Sequence, residues 1–67
     1  MTGLQLKVLR TKMQIQQKDI AAVLGVTPQR IHTVEQLDSV TKDMEDRYRT
    51  AIILLMNEKK KGEKRNG

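Results

Sequence analysis

QQKDIAAVLGVTPQRIHTVEQ, residues 16–36, sets two apolar patterns of helical spacing on either side of a short joint, Gly25-Val26-Thr27-Pro28. In the first pattern Ile20, Ala21, Val23 and Leu24 turn to one side. A helix is therefore expected from just after Gln16 until Gly25, whose missing Cβ lets the backbone go left-handed at low cost. Beyond the joint, Thr27 offers a side-chain oxygen to the free amides of the next helix, and Pro28, with no N–H to lose, suits its first position. The spacing predicts that this second helix ends near Gln36.

The outer face of that helix is the informative one. With Ile31 inward and about 100° per residue, Val34 and Glu35 also turn inward, while Gln29, Thr33 and Gln36 point away and Arg30 and His32 flank them. Amides, a hydroxyl and one guanidinium are not the Lys/Glu mixture of an indifferent solvated helix. They match the base edges of a DNA major groove: Gln pairs with adenine N6/N7, Arg with guanine O6/N7, and Thr with either edge or a thymine methyl. A sharp joint would let the first helix cross the groove while the second lies within it. The plainer alternative is an ordinary solvated face.

Working outward, Thr2 and Gln5 have the spacing of a capping box, and Leu6, Leu9 and Met13 recur behind them, which predicts a first helix over Leu4 to Met13. After the link LDSV (37–40), nothing from Thr41 to Lys60 is Gly or Pro, and Asp43 and Glu45 sit where a helix dipole favours negative charge. One long helix is expected over 41–60, with Met44, Tyr48, Ala51, Ile52 and Leu55 as its core stripe. Met1, Met13, Met44 and Met56 read as core or interface filler. There is no period-2 alternation, and Tyr48 is the sole aromatic. The fold class is therefore all-α, a small helical bundle with a long C-terminal helix.

Ile53, Leu54 and Met56 fall on the other sides of this last helix, where a monomer of this size would leave them exposed. The expectation is a two-fold homodimer whose interface includes Ile53, Leu54, Met56 and Asn57, with deeper burial in the chain's own core as the alternative. Two reading helices would then lie about 34 Å apart on one side of DNA, which predicts a palindromic site.

Size and composition agree with this. A 67-residue chain is one domain, of a size that buries only about 60% of its unfolded surface. It has no cysteine, so neither a disulfide scaffold nor a thiolate metal site is available, and a single histidine, His32, gives no basis for a metal site or a catalytic dyad. No Ser-His-Asp set or glycine-rich phosphate loop is present, so there are no candidate catalytic residues and no cofactor is expected. AIILLM (51–56) is too short for a membrane span, and the N-terminus lacks a signal-peptide pattern; a soluble, cytoplasmic chain is expected. The net charge of +5 is segregated. Residues 1–36 and 47–67 are basic, whereas 37–46 hold Asp38, Asp43, Glu45 and Asp46 against Lys42 alone. Such a balance favours a polyanionic partner. Residues 1–60 read as the domain and 61–67 as a flexible basic tail, adding nonspecific attraction.

Leu9-Arg10, Gln17, Ile20-Ala21, Leu24-Gly25-Val26, Ile31, Val34 and Glu35 together resemble the lambda-repressor-like, Cro/C1-type (XRE) helix-turn-helix proteins, over residues 4–37. The resemblance implies a helix-turn-helix at 17–36 and a sequence-specific transcriptional regulator, a repressor, acting on double-stranded DNA in a bacterial, phage or plasmid-host context. It implies base reading by Pro28, Gln29, Arg30 and Thr33. Backbone contacts would come from Gln17, Lys18, Thr27, His32, Gln36 and Lys42, and Arg10 and Glu35 would form a structural ion pair. This chain departs from the family in reading Gln36-Leu37-Asp38 where many members continue Asn-Gly and basic residues, and in offering one C-terminal helix where members commonly have two. The alternative is an interaction module of the same fold, an antitoxin or anti-repressor that holds a small protein partner.

Overall fold

The computed structural model describes residues 1–66, with side chains through Glu58. Among these residues there are four helices and no strand: α1 (Gly3–Lys12), α2 (Gln17–Leu24), α3 (Pro28–Glu35) and α4 (Lys42–Asn66). α4 continues to Asn66, past the expected helix end at residue 60 and into the stretch read as a flexible basic tail over 61–67, whose side chains lie outside those described. No described helix is long and apolar enough to cross a membrane.

Each helix starts where a side chain satisfies its free amides. The Thr2 hydroxyl accepts from the Gln5 N–H at 3.1 Å while the Gln5 side chain accepts from the Thr2 N–H at 2.8 Å. The Gln16 N–H donates to Asp19 Oδ2 at 3.1 Å, Thr27 Oγ1 accepts from Arg30 N–H at 3.2 Å, and Thr41 Oγ1 accepts from Met44 N–H at 3.2 Å. Thr41 is thus the cap of α4 and not its first residue. The stops differ from one another. Gly25 ends α2 with φ +70°, in the left-handed region, as its type predicts. α1 ends just as tightly through Gln14, at φ +59°, a conformation that an L side chain adopts at a cost.

Leu6, Ile15, Ile20, Ala21, Ile31, Val34, Val40, Tyr48, Ala51 and Ile52 form the buried core, with Leu9, Met13, Leu24, Met44 and Leu55 packed half-buried around it. The stripe read from the sequence of α4 is therefore the one that is buried. Two expectations need correction. Val23 is exposed, because the eight-residue α2 turns only Ile20, Ala21 and Leu24 onto its neighbours, and Val23 is left at the lip of the cleft with α4. Met1 is exposed as well; its backbone, not its side chain, does the packing.

That backbone closes the fold. The Met1 carbonyl accepts from Val40 N–H at 3.0 Å and the Gly3 N–H donates to the Leu37 carbonyl at 2.8 Å, while the Met1 ammonium pairs with Glu45 at 3.1 Å. The start of α1 is thereby pressed onto the end of α3. A Cβ on Gly3 would lie 2.6 Å from the Glu35 carbonyl oxygen and closer still to that of Val34. Only glycine permits so close an approach of two backbones.

Candidate nucleic-acid interface

α3 is fixed from behind by a buried carboxylate. Glu35, near its C-terminal end, takes both oxygens into the interior, where Arg10 grips them in a two-pronged contact, Nε to Oε2 at 2.8 Å and Nη2 to Oε1 at 3.2 Å. Gln17 Nε2 donates to Oε1 at 2.9 Å, and the Tyr48 hydroxyl donates to Oε2. Arg10 also donates through Nη1 to the Ile15 carbonyl at 2.8 Å, which secures the Gln14 turn. One acid thus ties together α1, α2, α3 and α4. No buried side-chain polar atom among the described residues is left without a partner, as a polar cluster in a core requires.

The electrostatics follow from that geometry. Burial alone would raise the Glu35 pKa, but the hydrogen bonds from Arg10, Tyr48 and Gln17 outweigh it and hold the carboxyl below its ordinary value. Burial likewise opposes the Arg10 charge, and Glu35 more than compensates, so the Arg10 pKa is raised. Tyr48 is pushed above the ordinary phenol range by burial and then by the adjacent carboxylate, so it stays a proton donor.

The sequence reading paired Arg10 with Glu35 and missed the other two members. A signal for Tyr48 existed: a lone tyrosine in an apolar stripe needs a partner for its hydroxyl. For Gln17 the structure gives a different occupation from the expected one, since one amide N–H is committed to Glu35. Its carbonyl oxygen and second N–H are left for any outside contact.

On the opposite side of α3, Pro28, Gln29, Arg30, His32, Thr33 and Gln36 are all exposed. The Thr33 hydroxyl donates back to the Gln29 carbonyl at 3.1 Å. The side chains of Gln29, Arg30 and Gln36 make no hydrogen bond within the described residues. Of the expected backbone contacts, Thr27 is exposed at the joint, and Lys18 and Lys42 are exposed on α2 and at the start of α4. Two acids lie near this surface. Asp43 pairs with Arg47 at 3.1 Å and lines the α2–α4 cleft, whereas Asp38 shares a groove between α1 and the end of α3 with Lys7, Leu37 and the expected backbone contact Gln36.

Ile53, Leu54, Met56 and Asn57 are exposed on α4, the positions expected at an interface between copies. Among the described residues no group of three or more His, Cys, Asp or Glu side chains could hold a metal ion. No protein-family model, curated protein or solved structure matches the chain.

Proposed function

We propose that this chain is a sequence-specific DNA-binding regulator of the lambda-repressor-like, Cro/C1-type helix-turn-helix kind, acting in the cytoplasm as a homodimeric repressor on a palindromic site. One observation carries the reading: α3 is immobilised from behind through Glu35, while its outer side presents Gln29, Arg30, Thr33 and Gln36 to solvent with no acidic side chain among them. A rigid helix with unspent bidentate donors and acceptors is what major-groove reading needs. In this assignment Gln29, Arg30 and Thr33 read bases, with Pro28 at the groove entrance. Lys18, Thr27, His32, Gln36, Lys42 and the free half of the Gln17 amide hold the sugar-phosphate backbone.

Selection of bound duplexes from a random pool, followed by a salt titration on the winners, tests it. A preferred sequence should emerge. For about six phosphate contacts, log affinity should fall with log salt at a slope of about −5. Weak, unselective binding with a shallow slope would overturn the proposal. A second reading has one observation in its favour: α1 carries an exposed apolar strip, with Leu4 64% and Val8 55% accessible beside Met1, as an interaction module would. That reading gains if no duplex is selected and another protein co-purifies with the chain stoichiometrically.

A further inference from the structure

Thr33 differs from its neighbours on the outer side of α3 in having its polar group already engaged. The side chains of Gln29, Arg30 and Gln36 are exposed and make no hydrogen bond among the described residues, whereas the equally exposed Thr33 donates its hydroxyl proton to the Gln29 carbonyl one turn back, at 3.1 Å. That bond limits what Thr33 can offer a base edge. Its oxygen has no proton to give, so guanine O6 and N7, thymine O4 and adenine N7, all acceptors, find no donor there. The oxygen is also drawn onto the helix. The methyl group on the same Cβ takes another of the staggered positions, and a β-branched side chain is stiff about χ1, so the methyl is held in place before any ligand arrives.

In the major groove a methyl group is matched by one base alone, thymine, through its C5-methyl. The neighbouring residue agrees with that choice. Gln29 lies four residues before Thr33, which sets their Cβ atoms about 6 Å apart on the same side of α3, and a glutamine amide pairs with adenine N6/N7, whose complement is thymine. We infer that Thr33 is a specificity-determining residue that recognises thymine by its methyl group, and that the half-site beneath α3 carries this thymine within about two base steps of the adenine read by Gln29. The oxygen's remaining lone pair would instead favour cytosine N4 or adenine N6, and the experiment below separates the two.

This inference rests on the DNA-binding reading and adds to it the identity of a base and the group that is recognised. In a duplex selected by the full chain, each thymine of one half-site is replaced in turn by deoxyuridine, which lacks only the C5-methyl, and affinities are measured for the native chain, Thr33→Ser and Thr33→Val. Serine keeps the hydroxyl and loses the methyl; valine does the reverse. Circular dichroism confirms that each variant is folded. One replacement should weaken the native chain and Thr33→Val roughly 3–5-fold, the worth of one buried methyl, and should have no effect on Thr33→Ser. At that same step 5-methylcytosine should bind the native chain better than cytosine does. A chain that selects no duplex overturns the DNA-binding reading and this inference with it. If a duplex is selected, the inference alone falls when every deoxyuridine effect survives in Thr33→Ser, when no thymine methyl matters to the native chain, or when the step at which Thr33→Ser relaxes preference holds cytosine or adenine.

Discussion

The two sides of α3 treat their polar groups oppositely. On the inner side the Glu35 carboxylate is fully engaged by Arg10, Gln17 and Tyr48. On the outer side Gln29, Arg30 and Gln36 are exposed and hydrogen-bonded to no described side chain or backbone group. Burial dictates the difference. A charged group taken from water must have every partner supplied by the fold, whereas one left in water keeps its capacity for a ligand. The inner side should therefore govern stability and the outer side binding. Substitutions across α3 can break that division or sharpen it.

The largest effect on stability is expected at Arg10. Arg10→Met strands the buried Glu35 charge and should cost about 3–5 kcal/mol, out of a total that for a chain of this length is only about 3–10 kcal/mol. Urea unfolding at neutral pH reads the loss. If the variant is too unstable to measure, Arg10→Met with Glu35→Leu removes the whole pair and should recover much of it. The same carboxylate fixes the acid response. Glu35 has a folded pKa below its unfolded value, so its contribution is complete above the unfolded pKa, about 4.3. That contribution is lost as pH falls through the folded value. Thermal unfolding from pH 7 downward should show a Tm that holds and then drops below about pH 4.5, with the drop shallower in the double variant.

Next in size is Gly3→Ala. The added methyl meets the Val34 and Glu35 carbonyl oxygens, the latter at 2.6 Å, and these are backbone atoms that cannot rotate away. A cost of about 1–3 kcal/mol is expected in unfolding free energy, although alanine is the better helix former. A neutral Gly3→Ala would mean that α1 is not held against α3 as described.

How legible this division was depends on the range of the interactions involved. Local signals carried the helices: the Thr2–Gln5 box, Gly25, and the Thr27-Pro28 pair each act within one turn, and each stands where the sequence put it. The outer residues of α3 were legible for the same reason, since one helical period separates them from Ile31. What escaped depends on distant parts of the chain meeting. Nothing near Gly3 announces that the end of α3 will press on it. Tyr48 and Gln17 reach Glu35 only through the packing of α4 and α2, and Val23 looked like core until the breadth of α2's contact was known. Gln14 escaped differently: its left-handed backbone is imposed by the short link between α1 and α2, against its own preference.

Gln17 lies between the two sides and should show a mixed effect. Gln17→Ala removes a half-buried side chain and deletes one hydrogen bond to the buried Glu35 carboxylate, at about 1.5 kcal/mol in unfolding. In the proposed complex it should also lower the steepness of the salt dependence by about 0.9 if the remaining amide groups hold a phosphate. Loss of stability with an unaltered salt slope would confine Gln17 to the inner side.

The smallest effect on stability, and the sharpest test of the outer side, belongs to Thr33. Its hydroxyl proton is donated back to the Gln29 carbonyl at 3.1 Å, an acceptor already engaged in the helix ladder, so Thr33→Val and Thr33→Ala should each change unfolding by no more than about 0.5 kcal/mol. Their effects on DNA should separate. With its proton turned onto the helix, Thr33 offers a base edge its methyl group and the oxygen's remaining lone pair. Valine keeps the methyl and the β-branched shape; alanine keeps neither. Competition binding against duplexes altered at one base step should find Thr33→Val close to native, and Thr33→Ala weaker by about 1 kcal/mol at that step alone. Equal losses in both variants would assign the contact to the oxygen. Uniform weakening at every step would move Thr33 from base reading to backbone holding.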